Sequence, residues 1–516
     1  MAAIITDKIR ILNAKNFVND VISANNSYYS FVGLTNSNEI QGDWDQNPPS
    51  PKDNFDEENN YWDTMIALKK INASDIRQVI TRRQWFSGNT YDMYRHDYSR
   101  SKVSAVSGST NLYSSFYYVM NSDYRVYICL QNGTTPETPN GKPSLDEPTF
   151  VDLEPRSAGT SGDGYIWKYL YTIRPSDIVK FESTDFIPVP SNWNTDIEHL
   201  PIRENATDGS IKIVNIKSRG TDVGPPNRIY TRVPIKGNGV GAECTIIVNN
   251  DSKVESIIVT EQGSNYTYGN VDLFNSTVPT GSVQPEFDVI ISPEGGHGAD
   301  IYNELGAYNV LLYSRLENDN QNPDFIVGNQ IARIGLVKNP RVFDSTENLN
   351  LPKASSLSAI KLTGIGYDTA TFNKNAFITQ LVGVGVTAAG RVVNYDQVTG
   401  VLKYWQDRTL VGFTTSGTNT LNPSYGYDLI SFTSSPSVDG NLTITGGSVS
   451  LQIESSFSGS STVINNRTYY LGQSFVSGVS NPEVQKYSGD IVYVDNRPPI
   501  IRSQNQKEDI KIVLQF

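Results

Sequence analysis

The stretch Tyr487-Ser-Gly-Asp-Ile-Val-Tyr-Val-Asp-Asn-Arg497-Pro-Pro-Ile-Ile-Arg-Ser-Gln-Asn-Gln-Lys-Glu-Asp-Ile-Lys-Ile-Val-Leu-Gln-Phe516 decides how the rest of the chain is read. Ile510, Ile512, Leu514 and Phe516 alternate with Lys511, Val513 and Gln515, the period of two that marks a half-buried strand. Residues 491–494 form a second short β-prone run. Between them Pro498 and Pro499 carry no amide N–H, so the segment must either turn or run along a sheet edge. The pattern predicts a C-terminal hairpin over residues 485–516 that closes a sheet whose partners lie far upstream. It holds no catalytic constellation and directs attention to shape and assembly.

Composition points the same way. A chain of 516 residues is long enough for roughly two to four domains, each with a core of its own. With 29 tyrosines, 40 glycines and 26 prolines, the balance favours β-structure with many turns and aromatic contact surfaces. The formal net charge of -12 makes the surface repel phosphate backbones, so no nucleic-acid partner is expected. No run of about 18 apolar residues occurs and charge appears too early for a signal peptide, so no membrane partner or secretory route is expected either.

The N-terminal part mixes helices and strands. Residues 9–24 place Phe17, Val18, Val21 and Ile22 at helical spacing behind Asn13 as an N-cap. Residues 28–33 read as a strand, and the proline-rich residues 42–51 as an ordered loop anchored by Trp44. Residues 60–70 read as an amphipathic helix with acids before it and Lys69 and Lys70 at its end. Residues 74–80 are a turn or short helix leading to Thr81-Arg82-Arg83-Gln84-Trp85. Two adjacent arginines before a tryptophan suit a protein interface, and equally an internal salt-bridge network beside a packed ring.

Residues 116–119 and 124–130 make a hairpin around Asn121-Ser-Asp123, and residues 163–171 a dense tyrosine-rich strand. Alternating Ile/Val runs at 209–220, 252–266 and 358–367 share one phrase, a polar start, a strand and a glycine turn, without the steady period of a solenoid. A further hairpin is expected across Asp396-Gln-Val-Thr-Gly400. Residues 411–480 are poor in charge but too rich in Leu, Ile and Tyr for disorder. The fold class is therefore mainly β, a multi-domain antiparallel sandwich-like architecture with a few short helices near the N-terminus. Its expected divisions are a core part at 1–204, an inserted small β domain at 205–290, a return to the core at 291–354, an inserted peripheral β domain at 355–484, and the closing hairpin at 485–516.

No catalytic, cofactor or metal site is expected. His96, His199 and His297 are scattered, and neither a His-x-x-x-His nor a Cys-x-x-Cys spacing occurs. Cys129 and Cys244 read as separate buried thiols. The glycines of Pro293-Glu-Gly-Gly-His-Gly-Ala-Asp300 lack the Lys-Ser or Lys-Thr of a phosphate loop and read as a tight turn. Carboxylate pairs such as Asp43 with Asp45 could in principle meet glycosidase spacing, but acidic loops are commoner than active sites. The residues that could anchor contacts to other proteins are Trp44, Arg82, Arg83, Trp85, Asn496 and Arg497.

Several of these segments resemble one family, the baseplate wedge subunit of T-even-like contractile-tailed phages that sits between peripheral and inner wedge components. The C-terminal stretch quoted above carries the strongest likeness. Val79-Ile-Thr-Arg-Arg-Gln-Trp85, Gly162-Asp-Gly-Tyr-Ile-Trp-Lys-Tyr-Leu170, Phe186-Ile-Pro-Val-Pro190 and residues 330–340 follow in the same order. The opening, with Thr6-Asp-Lys-Ile-Arg-Ile, looks like the marine-phage branch. The likeness spans most of 1–200, about 295–345, and 485–516, while 205–290 and 355–480 look like insertions. It implies a mostly β virion protein, dimeric about a two-fold axis, that contacts other baseplate wedge proteins after assembly in the host cytoplasm and uses no cofactor. A rival reading is a carbohydrate-binding or host-adhesion module, with a host surface glycan as its partner.

Overall fold

The structure is a computed structural model and describes residues 4–35, 44, 46–274, 276–279, 281–317, 330–406, 429–438, 440–444, 450–503 and 506–516. Among the described residues strand accounts for 42% and helix for 11%, so the mainly β class holds, with multiple sheets and short helices near the N-terminus. The chain folds into two compact units, each assembled from separated stretches. One takes Met1–Val18, Arg77–Leu312 and Ile512–Phe516; the other takes Asn19–Ile76 and Tyr313–Lys511. The limits expected at 204, 290, 354 and 484 are not the limits of these units.

In the first unit, strands Tyr118–Met120, Arg125–Asn132 and Tyr165–Thr172 form an antiparallel sheet. The Asn121 side chain closes its first turn, with Oδ1 accepting from the amides of Asp123 at 2.9 Å and Arg125 at 2.8 Å. That local bond is why Asn starts a reversal so readily. The sheet buries Tyr127, Trp167 and Tyr171, and Tyr165 stacks on Trp167 with centroids 5.3 Å apart.

A second layer of the same unit comprises strands Ile229–Gly237, Val240–Val248, Val254–Ser264 and Gly269–Val271, together with the pair Ile211–Ser218 and Glu286–Ile291. Ile211, Val233, Cys244, Ile246, Val248 and Val254 fill its own apolar core. Alternation with half-buried neighbours along Val240–Val248 is the cause, since period two presents one face to that core. Cys129 and Cys244 are free and buried. Burial pushes the Cys129 thiol far up and that of Cys244 to about 12.

The second unit is built on the sheet order Lys353–Ser355, Met65–Lys70, Tyr28–Gly33, Gln330–Lys338, Asp490–Ile501. A further sheet includes Phe377–Gly383, Val386–Asp396, Val401–Trp405 and Ser358–Thr363. The hairpin expected across Asp396–Gly400 is present, closed by Gly400 N donating to Asp396 O at 2.8 Å. Of the charge-poor residues 411–480, those at 411–428, 439 and 445–449 lie outside the described residues.

Four expectations are corrected. Residues 74–80, expected as a turn or short helix, are the end of the short helical turn Ala73–Asp75 followed by strand Ile76–Thr81, which pairs with Phe186–Pro188. The first helix is Asp7–Ile22, beginning before Asn13, which lies within it rather than capping it. The helix expected at 60–70 is Phe55–Thr64, capped by Asn54 whose side chain accepts from Glu57 N at 3.0 Å. At Met65 the backbone becomes extended, and Met65–Lys70 is a central strand between Tyr28–Gly33 and Lys353–Ser355. Pairing on both sides overrides a sequence that is by itself a good helix former. Finally, Asp490–Ile501 and Lys507–Gln515 do not pair with each other. The former pairs with Gln330–Lys338 and the latter lies beside Asn309–Glu317. Asp490–Ile501 takes the edge course that its prolines allow. It breaks register opposite Ile331 and Arg333, leaving Arg497, Pro498 and Pro499 as a bulge.

Candidate functional site

Two groups of residues hold the anchors named from sequence. In the second unit Arg333 projects from strand Gln330–Lys338 and is fully buried. Its Nε donates to Asn496 Oδ1 at 2.9 Å, and its Nη1 donates to Thr64 Oγ1 at 2.5 Å and Asn60 O at 3.3 Å. The guanidinium lies 5.2 Å from the ring centroid of Trp44 and 4.9 Å from that of Tyr61. Burial pushes its pKa down to about 10. Trp44 is buried in turn, donating from Nε1 to the Arg497 carbonyl at 3.0 Å, and Asn496 Nδ2 donates to Pro49 O at 2.8 Å. Three predicted anchors, Trp44, Asn496 and Arg497, therefore meet in one clamp. The residue at its centre, Arg333, went unread. The only available signal was a lone arginine inside an otherwise apolar strand.

The other three lie together in the first unit. Arg82 donates from Nη1 to Ser183 O at 3.1 Å and pairs with Glu182 at 2.9 Å. Arg83 stacks over Phe116 at 4.8 Å and Tyr118 at 4.6 Å and donates from Nη2 to Tyr113 O at 3.2 Å. Its Nε and Nη1 are buried without a hydrogen-bond partner among the described residues. Trp85 donates from Nε1 to Ser144 Oγ at 3.1 Å. Beside this internal network Phe86 is 59% and Phe116 49% exposed. Ile5, Ile9 and Leu12 of the N-terminal segment are exposed at helical spacing as well.

A cleft of about 950 Å³ in the first unit is lined by Asp7, Asp208, Glu294, Asp300 and Glu304, with Lys8 and Arg95 as its cations. Internal bonds engage these carboxylates. Asp7 accepts from Asn111 Nδ2 at 2.7 Å, Asp208 from Gly295 N at 2.7 Å, and Asp300 caps the helix Ile301–Leu305. Glu304, almost fully buried, holds His297 at 2.6 Å and accepts from Gly298 N at 2.7 Å. A carboxylate thus sits where a phosphate nest would need an anion, and the glycine run is a turn. Gly296 has φ of 94°, and a Cβ there would lie 2.4 Å from Thr207 N. Trp193 seals the turn, its Nε1 donating to Gly298 O at 3.1 Å and Ala299 O at 3.2 Å.

The three histidines serve separate neighbours. His96 Nδ1 accepts from Ile291 N at 3.2 Å, and burial pushes its ring pKa down, which suits an acceptor. His199 packs on Trp193 at 4.6 Å. Among the described residues no group of three or more His, Cys, Asp or Glu is placed to hold a metal ion. No helix there is long and apolar enough to cross a membrane. Asp43 and Asp45 lie outside the described residues.

An ion cluster fastens loop residues 95–102 to strand Glu286–Ile291. Arg95 contacts Asp97 at 3.0 Å and Asp288 at 2.6 Å, and Lys102 reaches both carboxylates. Burial raises the Asp97 carboxyl, but hydrogen bonds from Arg95 and Lys102 outweigh it and hold the pKa at about 2; Asp288 is lowered by the same contest. Both groups bind fewer protons folded than unfolded. Their stabilisation is therefore complete above the unfolded value near about 4 and lost as pH falls towards about 2. The thermal midpoint should drop across that window, and Asp97→Asn should lower it at neutral pH while flattening the acid limb. An Asp97→Asn melt with an unchanged acid limb would rule the cluster out as the cause.

The family model described as bacteriophage T4 Gp8 matches residues 3–146, which include the Arg82, Arg83 and Trp85 group. The baseplate wedge protein gp8 of Enterobacteria phage T4 is 26% identical over 228 aligned residues, covering 39% of this chain. The match spans 64% of that protein's length. Residues 3–146 are thus similar to the T4 Gp8 family, and the chain spans less than two thirds of the length of the baseplate protein it matches.

Proposed function

We propose that the chain is a structural subunit of a phage tail baseplate, a wedge component that joins neighbouring wedge proteins without catalysis or cofactor. The observation that carries this reading is the coincidence of the family-matched stretch with surface suited to partners. Within residues 3–146 lie exposed Ile5, Ile9 and Leu12, and the Arg83–Phe116 stack with Phe86 nearby in sequence. Aromatic and arginine side chains at half-exposed positions are the residues that dominate protein interfaces. A two-fold dimer belongs to the same proposal, since isologous pairing doubles the contact sites of a connector.

Co-expression with the products of neighbouring tail genes, followed by size-exclusion chromatography with light scattering, tests it. A dimer alone and a larger stable complex with at least one neighbour are expected. Phe116→Ala with Phe86→Ala should weaken that complex about tenfold or more, as loss of a central aromatic contact does. A monomer that ignores every neighbour and binds host surface polysaccharide would transfer the assignment to the adhesion reading.

A further inference from the structure

Lys168 lies in strand Tyr165–Thr172 and is 1% exposed. Burying an ammonium is costly, and an apolar side chain would complete this strand more cheaply. Its Nζ donates to Leu153 O at 2.8 Å and to Asn205 Oδ1 at 3.2 Å. Asn205 follows the helix Leu200–Glu204, and its Nδ2 donates to Glu154 Oε1 at 2.9 Å. The other oxygen of Glu154 accepts from Lys212 Nζ at 2.7 Å. Amine, carboxamide and carboxylate thus form one line, all within the first unit. The amide orientation is fixed from both sides, because a flipped Asn205 would set donor against donor at Lys168 and acceptor against acceptor at Glu154.

We propose that Lys168 and Asn205 become joined by an intramolecular isopeptide bond. The Nζ lone pair of Lys168 attacks Cγ of Asn205 and the carbonyl electrons move onto Oδ1. Glu154 takes the proton released at the attacking nitrogen and delivers it to Nδ2. The Cγ–Nδ2 bond then breaks and ammonia leaves. Amine plus carboxamide give a secondary amide plus ammonia, with no oxidant or co-reactant. Lys168 has the property its part requires. Burial lowers the Lys168 pKa and so favours the neutral nucleophile. Glu154 is an exposed carboxylate oriented by Lys212 and bonded to the leaving nitrogen. The fold supplies the proximity that the reaction lacks in water. The Lys70–Asn350 contact of the other unit is a built-in control, because it lies on the exposed surface.

Mass spectrometry of the purified full-length protein tests the proposal whether or not the wedge assignment holds. The intact mass should be lower than the sequence mass by one ammonia. A tryptic digest should contain a branched peptide in which Lys168 is uncleaved and attached through Nζ to residue 205, with none joining Lys70 to Asn350. Lys168→Arg should restore the full mass. Glu154→Gln, a change at an exposed side chain, should slow bond formation about tenfold or more. A full intact mass overturns the proposal, as does ammonia loss traced to a succinimide with no branched peptide. A Glu154→Gln chain that links as fast as the natural one overturns the role given to the carboxylate.

Discussion

An Arg333→Ala chain should lose about 3 to 5 kcal/mol of stability, the range found when one member of a buried charged network is removed. The size follows from what the guanidinium holds. Among the described residues it donates to Asn496, Thr64 and Asn60, and it packs against Trp44 and Tyr61. Truncation removes the donor from Asn496 Oδ1 and Thr64 Oγ1 and leaves two rings over a void. Arg333→Lys should not restore the loss, because a single ammonium cannot reproduce a planar fork that serves separate segments. Hydrogen exchange in strand Gln330–Lys338, followed through urea, should show the weakened unit. A variant as protected as the natural chain would mean that the clamp is decorative.

Trp193→Ala should cost the first unit a similar amount, about 3 to 5 kcal/mol. The indole is fully buried, packs edge-on against Tyr171 at 6.5 Å, and caps the carbonyls of Gly298 and Ala299. Trp193→Phe separates the two contributions. It keeps most of the ring but removes the donor, and should cost nearer about 1 to 3 kcal/mol. Exchange protection in strand Tyr165–Thr172 is the readout, and equal effects of the two substitutions would show that the hydrogen bonds rather than the ring carry the stability.

The legible parts of this fold were those settled by near neighbours. The Asn121 reversal and the Asp396–Gly400 turn are local bonds, so their hairpins could be read directly. Met65–Lys70 could not, because Trp62, Met65 and Ile66 fit helical spacing and only pairing with distant strands makes the segment extended. The clamp shows the same limit. Trp44, Asn496 and Arg497 could each be named for their chemistry, but Trp44 and Arg497 meet across 453 positions. Arg333 has partners 163 and 269 positions away and no local sign of them. The Lys168–Asn205–Glu154 line was equally silent, since Ile166 and Leu170 beside Lys168 mark a covered strand face but Asn205 lies 37 positions from Lys168 and 51 from Glu154.

The bulge at Arg497-Pro498-Pro499 has a consequence for the chain before it meets any partner. An edge strand with free amides and carbonyls is a template on which another copy's strand can polymerise. Here the outer strand offers no donor at Pro498 or Pro499, and the Arg497 carbonyl is already occupied by Trp44. The register also breaks at that point, so an incoming strand would find no continuous ladder. The interruption disfavours edge-to-edge pairing between newly made copies at this point of the strand.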